Sequence, residues 1–192
     1  MTDSMRYAGR WSLEDRFASP WHYLPLQVPP GAAGLRVELD YDRSSGAVLD
    51  LGCFGPSGFR GWSGSSRESF VIAGDAATPG YLPGELEAGT WQVMIGVHRV
   101  PPDGVAYRLT AQTATAAAAL DPPPLAPPVP RDRPPRRALP ARPGRRWLAG
   151  DLHTHTVHSD GGLTVSELAA LAARRGLDFL AVTDHNTVSH HA

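Results

Sequence analysis

Between Asp121 and Arg146 the sequence DPPPLAPPVPRDRPPRRALPARPGRR holds ten of the chain's nineteen prolines. Proline lacks a backbone N–H and fixes φ near −65°, so at this density helix and sheet are excluded and the backbone is extended in the polyproline II manner. The 192-residue chain must therefore fold as separate pieces on either side of a semi-rigid spacer, read here as residues 116–146. A PxxP ligand from Pro124 to Pro127, or a basic patch for anionic surfaces, is a weaker reading than a plain spacer. Charge divides the chain at the same place. Residues 1–120 carry nine Arg against twelve acids, 121–146 seven against two, and 147–192 two against five. The formal net charge of −1 is thus a cancellation, and it gives no sign of a nucleic-acid or membrane partner. All eighteen basic residues are Arg, a skew better assigned to genomic base composition than to phosphate binding.

Upstream of the spacer the apolar pattern has period two. Leu35, Val37, Leu39 and Tyr41 alternate with Arg36, Glu38 and Asp40, as a strand with one buried face requires. The rhythm returns in Trp91, Val93, Ile95 and Val97 and in Val105, Tyr107, Leu109 and Ala111, with Leu49, Leu51 and Cys53, and Phe70 and Ile72, as shorter candidates. Turn signals such as VPPGAAG, RSSG, GPSG, LEAGT and PPDG separate these runs. The fold expected for residues 1–115 is a β-sandwich accessory domain, with no helix of useful length before residue 113. The Ala-rich ATAAAAL at 114–120 extends a last strand or forms one helical turn. FRGWSGSSRESF reads as a loop whose Arg60, Trp62 and Arg67 either meet an anionic ligand or a neighbouring domain, or simply close the loop. His22 and His98 have no carboxylate or thiol nearby in sequence and read as surface or satisfied core residues.

Six of the eight histidines fall within residues 153–191. His153 and His155 are two apart, so a strand points both imidazoles to one side, where a single metal ion can take both; Asp151 shares that face. HSDGG must then leave strand geometry, which lets Asp160 turn back to the site. Thr164 with Glu167 forms a capping box, Val165, Leu168, Ala169 and Ala172 recur on one face, and Gly176 stops the helix. LDFLAVTD is a continuous apolar run of strand formers, as a parallel strand requires. The whole predicts one βαβ unit, whose two strands end on the same rim. That brings His153 and His155 to Asp184 and His185, on the side where α/β folds place their sites. His158, His190 and His191 are the weaker candidates.

The segments DLHTHTVHSDG and LDFLAVTDHNT resemble the first two motifs of the polymerase and histidinol phosphatase (PHP) metallohydrolases. The resemblance implies a distorted (β/α)7 barrel with two or three divalent metal ions, zinc, manganese or iron, and metal-assisted hydrolysis, mostly of phosphoesters. It implies that His153 and His155 bind the first metal, that Asp160 and His185 help hold another, and that Asp151, Asp184 and Asn186 orient ligands from behind. A β domain and proline spacer before the PHP start also resemble the branch that hydrolyses carbamates and amides. The expected substrate is therefore a small phosphoester, carbamate or amide. Residues 147–192 answer to about the first fifth of a barrel of this size, so the expectation is an incomplete α/β unit, an N-terminal fragment with little activity alone.

The competing reading is a non-catalytic β-sandwich binding module with a relic PHP tail. Cys53 is the single cysteine, which excludes an intrachain disulfide and a cysteine-rich zinc site. No segment reaches the ~18 apolar residues of a membrane span, and a cytoplasmic location is expected.

Overall fold

The computed structural model describes residues 2–121, 123–124, 127–135 and 139–191. Leu125 and Ala126, inside the Pro124–Pro127 stretch, lie outside the described residues. The chain divides into two compact units, Met1–Pro124 with Asn186–Ala192, and Leu125–His185.

The first unit is built from strands β1 (Thr2–Trp11), β2 (Trp21–Val28), β3 (Gly34–Tyr41), β4 (Val48–Gly55), β5 (Gly58–Gly64), β6 (Ser69–Ala73), β7 (Gly89–Arg99) and β8 (Val105–Ala114), with one short helix, α1 (Leu13–Ala18). They form two antiparallel sheets of four strands, in the orders β1-β8-β3-β6 and β2-β7-β4-β5. Leu35, Val37 and Leu39 of β3 and Leu109 and Ala111 of β8 share one core with Leu49 and Leu51 of β4 and Trp91, Val93 and Ile95 of β7. The alternation seen in the sequence thus faces inward from both sheets, the layering of a β-sandwich.

Two features of this unit differ from expectation, and a third settles an open alternative. Helix α1 occupies a stretch in which none was expected; Ser12 caps it, accepting from the Asp15 backbone while the Asp15 carboxylate takes the Ser12 N–H. The segment expected as a loop is in large part strand β5. Its Gly61, at φ 150, passes so close to Tyr81 that a Cβ there would lie 2.5 Å from the Tyr81 Cα, a contact only glycine permits. Arg60, on the same strand, stacks over the Trp91 ring at 4.9 Å and donates to the carbonyls of Leu82, Gly84 and Glu85; it closes the neighbouring loop. Finally, the Ala-rich stretch resolves into the end of β8 and a 3-10 turn at Ala117–Leu120.

The second unit contains β9 (Gly150–Thr154), α2 (Val165–Arg174) and β10 (Phe179–Val182). The two strands pair in parallel, with Phe179 opposite Gly150 and Val182 opposite Thr154. Thr164 caps α2 in a capping box with Glu167, and Gly176 takes a left-handed φ of 74 just past the helix end. The buried residues of α2 are Ala170 and Ala172, while Val165, Leu168 and Ala169 are half-exposed. Among the described residues of the proline-dense stretch there is no helix or strand. Several of them are tied down within the unit: the Val129 N–H donates to Ser166 Oγ at 2.8 Å, and Arg133 pairs with Asp178 at 2.6 Å.

Candidate metal centre

Strand β9 ends at Thr154, and its end is fastened to that of β10. The Thr154 hydroxyl donates to the Ala181 carbonyl at 2.8 Å, and the Thr183 N–H donates to the Thr154 carbonyl at 2.7 Å. Parallel pairing therefore brings the carboxyl ends of both strands together, His153 and His155 at one and Asp184 and His185 at the other.

Asp151 is exposed and its Oδ1 accepts the His153 N–H at 3.0 Å, so it steadies the strand end that bears the first histidine. The Nε2 atoms of His153 and His155 lie 3.2 Å apart. Two nitrogens bound at 2.0–2.1 Å to one tetrahedral ion are about 3.3–3.4 Å apart, so this pair has the spacing of a chelate. The other nitrogen of His155, Nδ1, is 2.7 Å from Asp160 Oδ1. A carboxylate only accepts, so the proton belongs on Nδ1, and in the neutral ring Nε2 keeps the lone pair a metal needs. Asp160 Oδ2 is 3.7 Å from His185 Nε2, which sets this carboxylate between two imidazoles. The hydrogen bond from His155 holds the Asp160 carboxyl below the usual carboxylate range.

His155, Asp160 and His185 each offer one donor atom, all within 4.8 Å of one another. Imidazole nitrogens and a carboxylate oxygen are the donor set that suits zinc, manganese or iron. His153 joins this group through His155. Asp184 is buried rather than facing it, and accepts the Thr156 N–H at 2.7 Å, the Thr156 hydroxyl at 2.6 Å and the Ser159 hydroxyl at 2.6 Å. Asn186 is exposed with a left-handed φ of 51, and His158 is half-buried with its N–H on Thr156 Oγ1 at 3.1 Å; neither is one of the three clustered donors. Thr156 and Ser159 were not among the residues singled out in the sequence. Their hydroxyls carry no metal chemistry, and only their meeting with Asp184 marks them.

No protein-family model matches the chain. It is 38% identical over 39 residues to the DNA polymerase/3'-5' exonuclease PolX of Bacillus subtilis (strain 168), a match that spans 20% of this chain and 7% of that protein. Among solved structures it is similar to the periplasmic g-type lysozyme inhibitor PliG of Aeromonas hydrophila, with 10% identity and a TM-score of 0.34 over 58% of this chain and 84% of that one. None of the described helices is long and apolar enough to cross a membrane.

Proposed function

We propose that this chain carries the opening metal-binding motifs of a PHP-type metal-dependent hydrolase, preceded by an accessory β-sandwich. In this reading residues 1–115 are the accessory domain, 116–146 the spacer and 147–192 the start of the hydrolase domain. His153, His155, Asp160 and His185 hold divalent metal, and Asp151, Asp184 and Asn186 serve them from behind. The observation that carries the reading is the convergence of His155, Asp160 and His185 within 4.8 Å, with His153 Nε2 at chelate spacing, 3.2 Å, from His155 Nε2. The 39-residue match to PolX, a protein with a PHP domain, favours it as well.

A bound divalent ion would lower the pKa of a coordinated water and neutralise the oxygens of a phosphoester, carbamate or amide under attack. The chain's own residues supply the frame. Asp160 keeps the His155 proton on Nδ1, and Asp151 holds the backbone of His153, so the two Nε2 atoms stay directed together. Cys53 takes no part: it is fully buried and desolvation pushes its thiol up to about 12.

The test is metal binding by the purified chain after stripping with a chelator. We expect at least one equivalent of zinc or manganese to bind, and the His153→Ala/His155→Ala double variant to lose it. No stoichiometric metal, or equal binding by the double variant, overturns the reading.

A further inference from the structure

The three clustered donors have a feature in common that spacing alone does not explain. Each is the sequence neighbour of a buried polar residue: His155 of Thr156, Asp160 of Ser159, and His185 of Asp184. These neighbours are 0%, 7% and 9% exposed, whereas Asp160 and His185 are open to solvent. They meet in a single knot. Asp184 Oδ1 accepts both the Thr156 N–H at 2.7 Å and the Ser159 hydroxyl at 2.6 Å, and Oδ2 accepts the Thr156 hydroxyl at 2.6 Å. The Thr156 carbonyl in turn accepts the N–H groups of Ser159 at 3.1 Å and Gly161 at 2.9 Å.

We propose that Asp184, Thr156 and Ser159 form a positioning platform for the metal ligands, in which one buried carboxylate fixes the loop bearing His155 and Asp160 to the strand end bearing His185. The inference rests on the metal-binding reading above. A buried carboxylate is costly unless it is fully hydrogen-bonded, and bonds to a charged acceptor are roughly twice as strong as neutral ones. The knot therefore locks segments 25 and 28 residues apart in sequence. Metal–ligand distances normally fall within about 0.2 Å of their usual values, so ligands on solvent-exposed side chains gain from a fixed backbone. Asp184 holds together the loop and the strand end from which the ligands project.

The test uses the full chain and cobalt(II), whose visible absorption reports its ligands. Asp184→Asn removes the charge and one acceptor oxygen, Thr156→Val and Ser159→Ala each remove one hydroxyl, and Thr156→Ser retains it. We expect Asp184→Asn to weaken cobalt binding at least tenfold, within the usual 10–100-fold range for such outer residues, and to change the visible spectrum. Thr156→Val and Ser159→Ala should weaken binding several-fold, and Thr156→Ser should restore it. If Asp184→Asn does not fold, the two hydroxyl variants decide by the same criteria. Variants that lower only the melting temperature, with affinity within twofold and an unchanged spectrum, overturn the platform and leave the metal reading standing. A parent chain that binds no stoichiometric cobalt overturns both.

Discussion

Replacing Gly161 with alanine tests the candidate centre without touching any ligand. A Cβ at this position would lie 2.3 Å from the His155 carbonyl oxygen, 2.4 Å from its carbon and 2.6 Å from the Thr156 nitrogen. All three are backbone atoms, so no side chain can swing away. Contacts below 3.0 Å are essentially never seen, so the two segments must separate by at least 0.7 Å, the difference between 3.0 and 2.3 Å. That is more than three times the ~0.2 Å within which metal–ligand distances normally fall. The displacement falls on the residue whose Nδ1 is 2.7 Å from Asp160 and whose Nε2 is 3.2 Å from His153. We expect Gly161→Ala to weaken zinc or cobalt binding at least tenfold, about 1.4 kcal/mol, in a competition titration at fixed pH. Gly162→Ala is the matched control, because a Cβ there meets nothing within 4 Å, and it should bind as the parent does. Equal affinity in the two variants would refute the reasoning, since the clash would then be absorbed somewhere that does not matter to the ligands.

Two further outcomes concern the β-sandwich. Trp91 is wholly buried, with its indole N–H on the Glu87 carbonyl at 2.9 Å, so Trp91→Ala should cost about 3–5 kcal/mol; a loss under about 1 kcal/mol by urea unfolding would contradict that packing. Asp50 is half-buried and desolvation raises its pKa, which for an acid means a folding penalty that is present above its folded pKa and gone below the unfolded value. Asp50→Asn should therefore raise the melting temperature at pH 7, with the advantage vanishing below about pH 4; an advantage that persists at low pH would place its cause elsewhere.

The strands legible in the sequence are those buried on one whole face. Strands β3 and β8 lie inside one sheet and β4 and β7 inside the other, so every second residue meets the core and the alternation is clean. Strands β1, β2, β5 and β6 are edges; β6 keeps its buried Phe70 and Ile72, while the demands on the other three are weaker. In β1 the inward row is only Met5, Tyr7 and Trp11, interrupted by Gly9 and in part half-exposed, a rhythm too sparse to stand out. In β2, Pro25 stands opposite Gln92 in mid-strand, a residue that argues against a central strand but suits an edge, where one row of N–H groups has no partner to meet. Three glycines with positive φ break up β5, at Gly58, Gly61 and Gly64, and they read as loop because glycine signals a turn far more often than a close crossing.

The candidate centre divides along a different line, between chemistry and placement. Imidazoles two apart, a carboxylate before a glycine pair and a histidine after an apolar run announce themselves, because few side chains bind metal and their spacing matches a strand end. Thr156 and Ser159 announce nothing, since a hydroxyl in a loop has many uses. What defines them is an acceptor 25 and 28 residues further on, and that meeting exists only once β9 and β10 pair in parallel. Asp184 shows the same dependence from the other side: the resemblance places it behind the ligands, but its partners, three donors over a carboxylate only 9% exposed, come from the pairing. Residue type and spacing can therefore identify what a site would bind, while what holds the site still is decided by contacts between strand ends, and a substitution there should disturb metal binding as surely as one in a ligand.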